Sequence, residues 1–236
     1  HGDRAVTEEE ETQFRIFIER RSTHEPLQQI TGWQEFMGLR FSVTEDVLVP
    51  RQDTETLVEE VMRYLRDGME ILDVCTGSGC ILLSLLRYSN GCRGIGCDIS
   101  EKALAVAGQN AKELGISAQF IQSDLFESIE GRFEYIVSNP PYIRKDMIPT
   151  LMEEVRDHEP LIALDGGEDG LDFYRKITRE ATEHLYSGGM LFFEIGYDQG
   201  ETVKLLMEEE GYEEVTVSQD LAGLDRVVYG TFNGRK

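Results

Sequence analysis

The stretch that decides the fold reads ILDVCTGSG and covers residues 71–79. Its first four residues form a short apolar run that predicts a buried strand. The loop that follows contains two glycines and leads into an apolar helix over Cys80–Tyr88. Downstream, apolar runs at 94–97, 119–121, 135–137 and 191–193 alternate with helical spacing at 101–114 and 171–185. This alternation predicts an α/β fold with a mostly parallel sheet and helices on both faces.

The C-terminal part departs from the alternation. After a predicted helix at 200–210, two apolar runs at 215–217 and 227–229 predict strands. The loop between these two strands is too short for a crossover helix. They should therefore pair antiparallel, which makes the last strand the antiparallel member of the sheet.

The N-terminal part carries different signals. Thr7 and Glu10 form a capping-box pattern at the start of a short helix. Residues 33–43 alternate loosely around Gly38, which predicts a β-hairpin. Helical spacing of apolar residues resumes at 54–66, just before the deciding stretch.

The composition excludes several classes of protein. The chain has 236 residues, of which 40% are hydrophobic and 29% charged, and no apolar run is long enough to cross a membrane. No secretory signal segment opens it, so we expect a cytoplasmic protein. The formal net charge of −22 repels nucleic acid and argues against direct binding of DNA or RNA. A surface of this charge attracts a basic partner protein. The alternative is that the charge only keeps the protein soluble.

Four cysteines lie close together in the sequence, at positions 75, 80, 92 and 97. Zinc sites usually contain C-x2-C pairs, whereas these are C-x4-C pairs. Cys75 and Cys97 fall at the ends of apolar runs, so we interpret the four as buried free thiols in a reducing compartment. We expect neither a metal site nor a disulfide.

The loop after the first strand of the alternation has features of a ligand site. Gly77 and Gly79 allow a ligand to approach the backbone, although the spacing is not G-x-G-x-x-G and glycines often serve a turn alone. Asp98 follows the next strand about 20 residues on, where a carboxylate can hold two ribose hydroxyls. Asp98 could instead belong to the N-cap region of the helix that begins near Glu101. Its distance from the glycine loop favours the ribose.

A nucleoside cofactor without phosphates suits this loop best, and S-adenosylmethionine is the obvious candidate. Asp124 and Leu125 follow the third strand and would lie near the adenine, although Asp124 could be a turn residue only. The predicted cofactor-binding residues are Asp73, Cys75, Thr76, Gly77, Ser78, Gly79, Asp98, Ile99, Asp124, Leu125 and Asn139.

The fourth strand is followed directly by Ser138-Asn139-Pro140-Pro141-Tyr142. The side-chain oxygen of Asn139 and the carbonyl of Pro140 can each accept one hydrogen bond, which matches the two hydrogens of an NH2 group. The prolines fix the backbone, so these acceptors are preorganised. Tyr142 offers a flat face to a planar amide or base. We therefore predict that Asn139, Pro140, Pro141 and Tyr142 form the catalytic site.

This tetrapeptide at a strand end resembles the motif of methyltransferases that act on planar nitrogens, in adenine, cytosine or glutamine. Further segments carry a more specific pattern: Glu25-Pro26-Leu27, Ile30-Thr31-Gly32, Val47-Leu48-Val49-Pro50-Arg51, Thr54-Glu55, Glu159-Pro160, Ala163-Leu164-Asp165-Gly166-Gly167, Asp169-Gly170-Leu171, Glu194-Ile195-Gly196 and Asp220-Leu221-Ala222-Gly223. As a set they resemble the protein-(glutamine-N5) methyltransferases, and among them the enzymes that modify release factors. The family usually has Gly in place of Cys75 and often Pro-Glu in place of Gln52-Asp53.

The resemblance implies a Rossmann-like class I methyltransferase sheet with a small N-terminal helical remnant and a β-hairpin. It divides the chain into an N-terminal helical segment at 1–34, a β-hairpin and linker at 35–52, and an S-adenosylmethionine-dependent methyltransferase domain at 53–236. The family carries a larger N-terminal helical bundle, and the chain begins without Met. We therefore expect the helical segment to be truncated.

The implied activity is methyl transfer from S-adenosylmethionine to the side-chain nitrogen of the glutamine in the Gly-Gly-Gln loop of class 1 peptide chain release factors. S-adenosylhomocysteine is the second product. A glutamine in a ribosomal protein is the close alternative. A DNA adenine-N6 methyltransferase shares the tetrapeptide, but the net charge and the lack of a basic stretch count against it. The intact tetrapeptide also counts against a non-catalytic binding module.

Overall fold

The computed structural model describes residues 4–234. The helices are α1 (Glu8–Ser22), α2 (Leu27–Thr31), α3 (Glu55–Tyr64), α4 (Cys80–Tyr88), α5 (Glu101–Leu114), α6 (Glu153–Arg156), α7 (Asp172–His184) and α8 (Gly200–Glu209). The strands are β1 (Trp33–Phe36), β2 (Leu39–Ser42), β3 (Glu70–Val74), β4 (Arg93–Asp98), β5 (Gln119–Gln122), β6 (Phe133–Ser138), β7 (Leu185–Glu194), β8 (Tyr212–Gln219) and β9 (Asp225–Phe232). None of the helices in this described part is long and apolar enough to cross a membrane.

Seven strands form the central sheet in the order β5-β4-β3-β6-β7-β9-β8. The neighbours from β5 to β7 pair in parallel, whereas β9 pairs antiparallel with both β7 and β8. The predicted α/β fold, with its mostly parallel sheet and antiparallel last strand, is therefore confirmed.

The central strand β3 shows why an apolar run predicted this architecture. Ile71 and Leu72 are both fully buried, but they belong to different hydrophobic cores. Successive side chains of a strand point to opposite faces, and helices cover each face of this sheet. One core lies under α3 and α4, and the other lies under α7 and α8.

The strand order also positions the functional site. From β3 the chain moves outward through β4 to β5, and it then returns to form β6 on the other side of β3. In open α/β sheets, such a reversal leaves a crevice beyond the carboxyl ends of the central strands, where ligands bind. The loops after β3, β4 and β6 meet at this crevice.

The predicted hairpin is present as β1 and β2. Its two turn residues, Met37 and Gly38, have φ of +50° and +68°, as a type I′ turn requires. It begins at Trp33, where the alternating stretch at 33–43 begins. Phe36 and Phe41 are buried in the same core as α3 and α4, so the hairpin packs onto the main domain.

The N-terminal helix α1 has the predicted capping box at Thr7 and Glu10. It contains no buried residue, and Phe14 and Ile18 are 63% and 53% exposed. Arg21 at its end makes an ion pair of 2.7 Å with Glu154 on α6. This end of the helix therefore contacts the segment that follows the tetrapeptide.

Candidate functional site

The carboxyl ends of the central parallel strands open onto one cleft of about 280 Å³, a volume near the lower end for small-molecule sites. Among the predicted site residues, those that line it are Cys75, Thr76, Gly77, Ser78, Asp98, Ile99, Asp124, Leu125, Asn139 and Pro141. Asp73, Gly79, Pro140 and Tyr142 are not part of its lining. The structure thus brings the glycine loop, the strand-end aspartate and the tetrapeptide asparagine around a single cavity.

The two glycines of the loop serve different purposes. Gly77 and Gly79 both have left-handed backbones, with φ of +53° and +78°. A Cβ at Gly77 would meet no atom within 4 Å, because this residue borders open space in the cleft. A Cβ at Gly79 would lie 3.2 Å from the Cβ of Ala107 on α5. Gly77 therefore leaves room for a ligand, and Gly79 allows the close approach of two helices.

Asp73 holds the loop from beneath. Its carboxyl group is fully buried and accepts a hydrogen bond of 2.6 Å from the hydroxyl of Thr76. Burial raises the pKa of Asp73 to about 7, because the surroundings penalise its charge. The backbone N–H of Thr76 in turn donates to the carbonyl of Cys97 at the end of β4. Asp73 therefore shapes the loop from outside the cleft.

Cys75 shows why a glycine is usual at its position. Its φ is +62°, a left-handed conformation that costs a residue with a Cβ about 1–2 kcal/mol. Burial raises the pKa of its thiol well above the ordinary value. All four cysteines have free thiols. Within residues 4–234, no group of three or more His, Cys, Asp or Glu side chains is placed to hold a metal ion.

Asp98 links the glycine loop to the start of α5. Its Oδ2 accepts a hydrogen bond of 3.0 Å from the N–H of Gly77, and its Oδ1 accepts one of 2.9 Å from the N–H of Ser100. The side chain of Ser100 caps α5 by accepting from Ala103, so Asp98 is not itself the N-cap. Each carboxylate oxygen can accept a second hydrogen bond, and Asp98 faces the cleft. Burial raises its pKa.

The loops after β4 and β5 add residues beyond Asp98. Ile99 is 47% exposed and lines the cleft. Asp124 is exposed, and Leu125 beside it is buried with a φ of +50°. The Cys97 thiol donates to the Leu125 carbonyl over 3.5 Å. These contacts place an apolar surface and a carboxylate at one end of the cleft.

The tetrapeptide leaves β6 at the opposite end of the cleft. Ser138 is fully buried, and its hydroxyl donates to the carbonyl of Val74 over 2.7 Å, which fixes the end of β6 against β3. Asn139 follows at the cleft, and its Nδ2 lies 3.4 Å from the Oγ1 of Thr54. Pro140 and Pro141 are buried. The amide of Asn139 is therefore presented on a rigid strand end.

Two features hold Tyr142 behind this amide. The side-chain Nε2 of Gln199 donates to the carbonyl of Tyr142 at 3.1 Å and to that of Gly170 at 3.2 Å. The backbone of Gly166 packs so closely that a Cβ there would lie 2.7 Å from the Cα of Tyr142. Burial raises the pKa of the Tyr142 phenol, which therefore stays neutral at physiological pH.

The sequence did not predict one wall of the cleft. The segment at 46–54 was interpreted largely as a linker, yet Val47, Leu48, Pro50, Arg51 and Thr54 line the cleft. Arg51 makes an ion pair of 2.6 Å with the buried carboxylate of Glu159. The signal available was the resemblance itself, which included these residues without assigning them a role. Pro160, Ile162, Ala163, Phe173 and Lys176 also line the cleft and were not predicted as site residues.

Comparisons with known proteins agree with this arrangement. The methyltransferase small domain family matches residues 52–155, and the PrmC N-terminal domain family matches residues 1–32. The chain is 44% identical over 229 residues to the release factor glutamine methyltransferase of Geobacter sulfurreducens, covering 97% of this chain and 81% of that protein. It is also 44% identical over 229 residues to the enzyme of the same name from Clostridium acetobutylicum, covering 94% and 80%.

A solved structure supports the fold independently. A methyltransferase from Pyrococcus furiosus has a TM-score of 0.65 to this structure at 19% identity, covering 95% of this chain and 99% of the other. At that identity, the similarity shows a methyltransferase fold and no more.

Proposed function

Because this chain belongs to the release factor glutamine methyltransferases, we propose that its cleft holds S-adenosylmethionine beside the side-chain amide of a glutamine in a class 1 peptide chain release factor. The chain is an S-adenosylmethionine-dependent protein-(glutamine-N5) methyltransferase. The observation that carries the proposed site is that Asn139 of the tetrapeptide and Asp98 of the cofactor region line the same cleft. A methyl donor and an amide acceptor can therefore meet there.

The residues of the cleft fit this cofactor. The carboxylate of Asp98 has acceptor capacity left for ribose hydroxyls, after its two backbone hydrogen bonds. The open space at Gly77 admits a ligand against the loop backbone, and Ile99 provides an apolar surface for a flat ring. We propose Cys75 to Ser78, Asp98, Ile99, Asp124, Leu125 and Asn139 as the cofactor site, with Asp73 and Gly79 supporting the loop.

Asp98→Ala is expected to weaken S-adenosylmethionine binding about 10- to 100-fold. A hydrogen bond to a charged group is worth about 1.5–3 kcal/mol, and the variant also frees the N–H of Gly77. Isothermal titration calorimetry measures the change. Asp67→Ala is the matched control, because Asp67 contacts Asn90 on the surface away from the cleft. Equal affinity in the Asp98 variant and the control would contradict the ribose assignment.

Asn139 and the tetrapeptide backbone activate the acceptor. The nitrogen of an amide is a poor nucleophile, because its lone pair is delocalised into the carbonyl. We propose that its two N–H groups donate to Asn139 Oδ1 and to the Pro140 carbonyl, which raises the electron density on nitrogen and aims it at the methyl group. S-adenosylmethionine supplies that methyl group as an electrophile on a positively charged sulfur. Pro141 fixes the backbone. We propose that the ring of Tyr142, which lies outside the cleft lining, packs against the amide plane of the bound glutamine.

Positioning provides most of the acceleration in this scheme. Well-oriented reactants gain about 7–11 kcal/mol over the same reaction in solution. The nitrogen gains a methyl group and loses one proton to water, so the scheme requires no strong base. The rigid support of the tetrapeptide by Ser138, Gly166 and Gln199 is consistent with this demand for geometry.

We propose the glutamine of the Gly-Gly-Gln loop as the substrate. Two glycines before a glutamine allow a loop to reach into a recessed site without clashes. Release factors bind ribosomal RNA, so the surroundings of their loop should be basic and complement the net charge of −22. The same charge disfavours direct binding of nucleic acid by this chain. We propose that the reaction takes place in the cytoplasm, without a membrane partner. We assign it to the domain at 53–236, which follows the segments at 1–34 and 35–52.

A side-by-side methylation assay tests the substrate. Release factor, its Gln→Ala loop variant, ribosomal proteins and duplex DNA are each incubated with the enzyme and methyl-labelled cofactor. Label is expected on the intact release factor alone, and mass spectrometry should locate it on the loop glutamine. Label on the Gln→Ala variant, or on ribosomal protein or DNA alone, would overturn the assignment. Cofactor binding without any label would favour a non-catalytic module.

A further inference from the structure

The proposed role of Asn139 depends on which way its amide faces. The oxygen accepts hydrogen bonds and the nitrogen donates them, but the two ends have almost the same shape. Only the orientation with Oδ1 toward the cleft can accept a hydrogen bond from a substrate NH2 group. Some contact on the protein side must therefore distinguish the two ends.

Two buried side chains surround the other end of this amide. Thr54 is 2% exposed, and its Oγ1 lies 3.4 Å from Asn139 Nδ2. Glu194 is also 2% exposed and ends β7, directly beside the end of β6 that carries Asn139. The side chains of both Thr54 and Asn139 donate hydrogen bonds toward its carboxylate. The three side chains thus form one cluster, in which Thr54 and Glu194 are buried and Asn139 faces the cleft.

We propose that Glu194, acting with Thr54, orients the Asn139 amide so that Oδ1 faces the substrate; this rests on the function proposed above. When Glu194 is ionised, its carboxylate only accepts hydrogen bonds, so the hydroxyl of Thr54 must donate to it. The oxygen of that hydroxyl is then left to accept from Asn139 Nδ2. With Nδ2 held by Thr54 and Glu194, Oδ1 is the end that remains for the cleft. Glu194 is a positioning residue in this scheme, because it does not touch the substrate.

The chemistry of Glu194 supports a functional role over a stabilising one. Its Oε2 has no hydrogen-bond partner among the described residues. Burial raises its pKa to about 7, although the hydrogen bonds from Thr54 and Asn139 and the nearby charge of Arg226 act in the opposite direction. A buried carboxyl group with an unpartnered oxygen is unfavourable for folding, and apolar residues of similar volume often replace such groups without loss of stability. Its presence is explained by what it does to Asn139.

The test compares Glu194→Leu, Glu194→Gln and Thr54→Val with the wild type. Glu194→Leu should lower kcat on release factor at least about tenfold, as expected for loss of a hydrogen bond to a charged group. Melting temperature should not fall, and most of the cofactor affinity should remain. Glu194→Gln should recover most of the activity, because its carbonyl oxygen can still accept. Thr54→Val should lower kcat about three- to tenfold, the range of one neutral hydrogen bond.

Glu60→Leu is the matched control. Glu60 is another buried glutamate with an unpartnered Oε2, but it contacts Ser218 away from the tetrapeptide. Its variant should retain the wild-type kcat. A structural explanation of the Glu194 effect predicts that melting temperature and cofactor affinity fall with kcat, and that Glu194→Gln gives no recovery. Should Glu194→Leu fail to fold, the Glu194→Gln and Thr54→Val variants still decide between the two explanations.

The most direct test measures the effect of Glu194→Leu in a protein that also carries Asn139→Asp. In this background both side-chain oxygens at position 139 accept hydrogen bonds, so the orientation of the side chain no longer matters. Glu194→Leu should then cause no further loss of kcat. An equal loss in both backgrounds, or wild-type kcat in Glu194→Leu alone, would overturn the inference. Failure of the proposed function would look different, because the wild type itself would then leave release factor unmethylated while still binding cofactor.

Discussion

Asn139→Ala is expected to lower the rate of methyl transfer about 10²- to 10³-fold at saturating substrate and cofactor. Removal of one preorganised hydrogen-bonding partner at a reacting group has an effect of this size. The variant loses the acceptor that aims the glutamine nitrogen, while the carbonyl of Pro140 remains. Single-turnover kinetics with labelled cofactor and intact release factor measure the loss directly.

The fold and the cofactor site should survive this change. Asn139 lies at the end of β6, which is fixed by the separate hydrogen bond between Ser138 and Val74. Melting temperature should therefore be close to that of the wild type, and most of the cofactor affinity should remain. Asn90→Ala is a suitable control, because Asn90 is exposed and contacts Asp67 on the surface. Wild-type turnover in Asn139→Ala would disprove the assigned role.

Gly166→Ala is expected to reduce turnover about 10²-fold, although it lies outside the cleft lining. The backbone at Gly166 is not left-handed, so alanine is conformationally permitted there. Alanine is disfavoured by a steric clash, since the new Cβ would lie 2.7 Å from the Cα and 2.8 Å from the carbonyl carbon of Tyr142. The tetrapeptide must shift to make room. A misplacement of about 1 Å at a reacting site can reduce rate about 10²-fold.

Gly108→Ala is the matched control for this prediction. Gly108 lies on α5, and a Cβ there would meet nothing within 4 Å. Its variant should keep full turnover and gain up to about 1 kcal/mol of stability, because alanine is the better helix former. Steady-state assays at equal cofactor saturation compare the two variants. Equal activity in both would show that the contact between Gly166 and Tyr142 is irrelevant to catalysis.

The central part of the fold could be predicted from the sequence because its signals are local. Ile71 to Val74, and the runs that became β4, β5 and β6, are short apolar segments between loops. Strands β3 and β6 are almost entirely buried, whereas the edge strand β5 has no buried residue. Burial of the central strands requires apolar side chains, so the sequence alone shows where these strands lie. The antiparallel pairing of β8 and β9 followed from the length of the loop between them.

The elements that were missed lack such a signal. β7 begins at Leu185, six residues before the start predicted at 191, and Tyr186 to Gly188 are exposed. The strand is bounded by pairing on either side of these residues, because Leu185 pairs with Phe133 on β6 and Gly189 lies opposite Phe232 on β9. The short helices α2 and α6 were not predicted either, since four or five residues give no measurable periodicity.

The chemical character of the proposed site was predicted from the sequence alone. The tetrapeptide Asn139 to Tyr142, the glycine loop and Asp98 each follow a strand end, and the carboxyl ends of parallel strands meet at one edge of a sheet. The types of residue and their places after strands predicted a nucleoside cofactor site beside a site for a planar NH2 group, and the family resemblance implied that this group is a glutamine amide. The prediction of the individual contacts to cofactor and substrate stays open to the tests above.

Only the tertiary structure decided how these residues are held. Thr54 lies before the deciding stretch and Glu194 lies on β7, so no local pattern relates either of them to Asn139. The register of β7 against β6 and the packing of α3 on the sheet bring all three together. The direction of a single amide depends on these contacts, because its two ends differ only in donating or accepting a hydrogen bond. Sequence order carries no information about that direction, whereas the packing of distant segments fixes it.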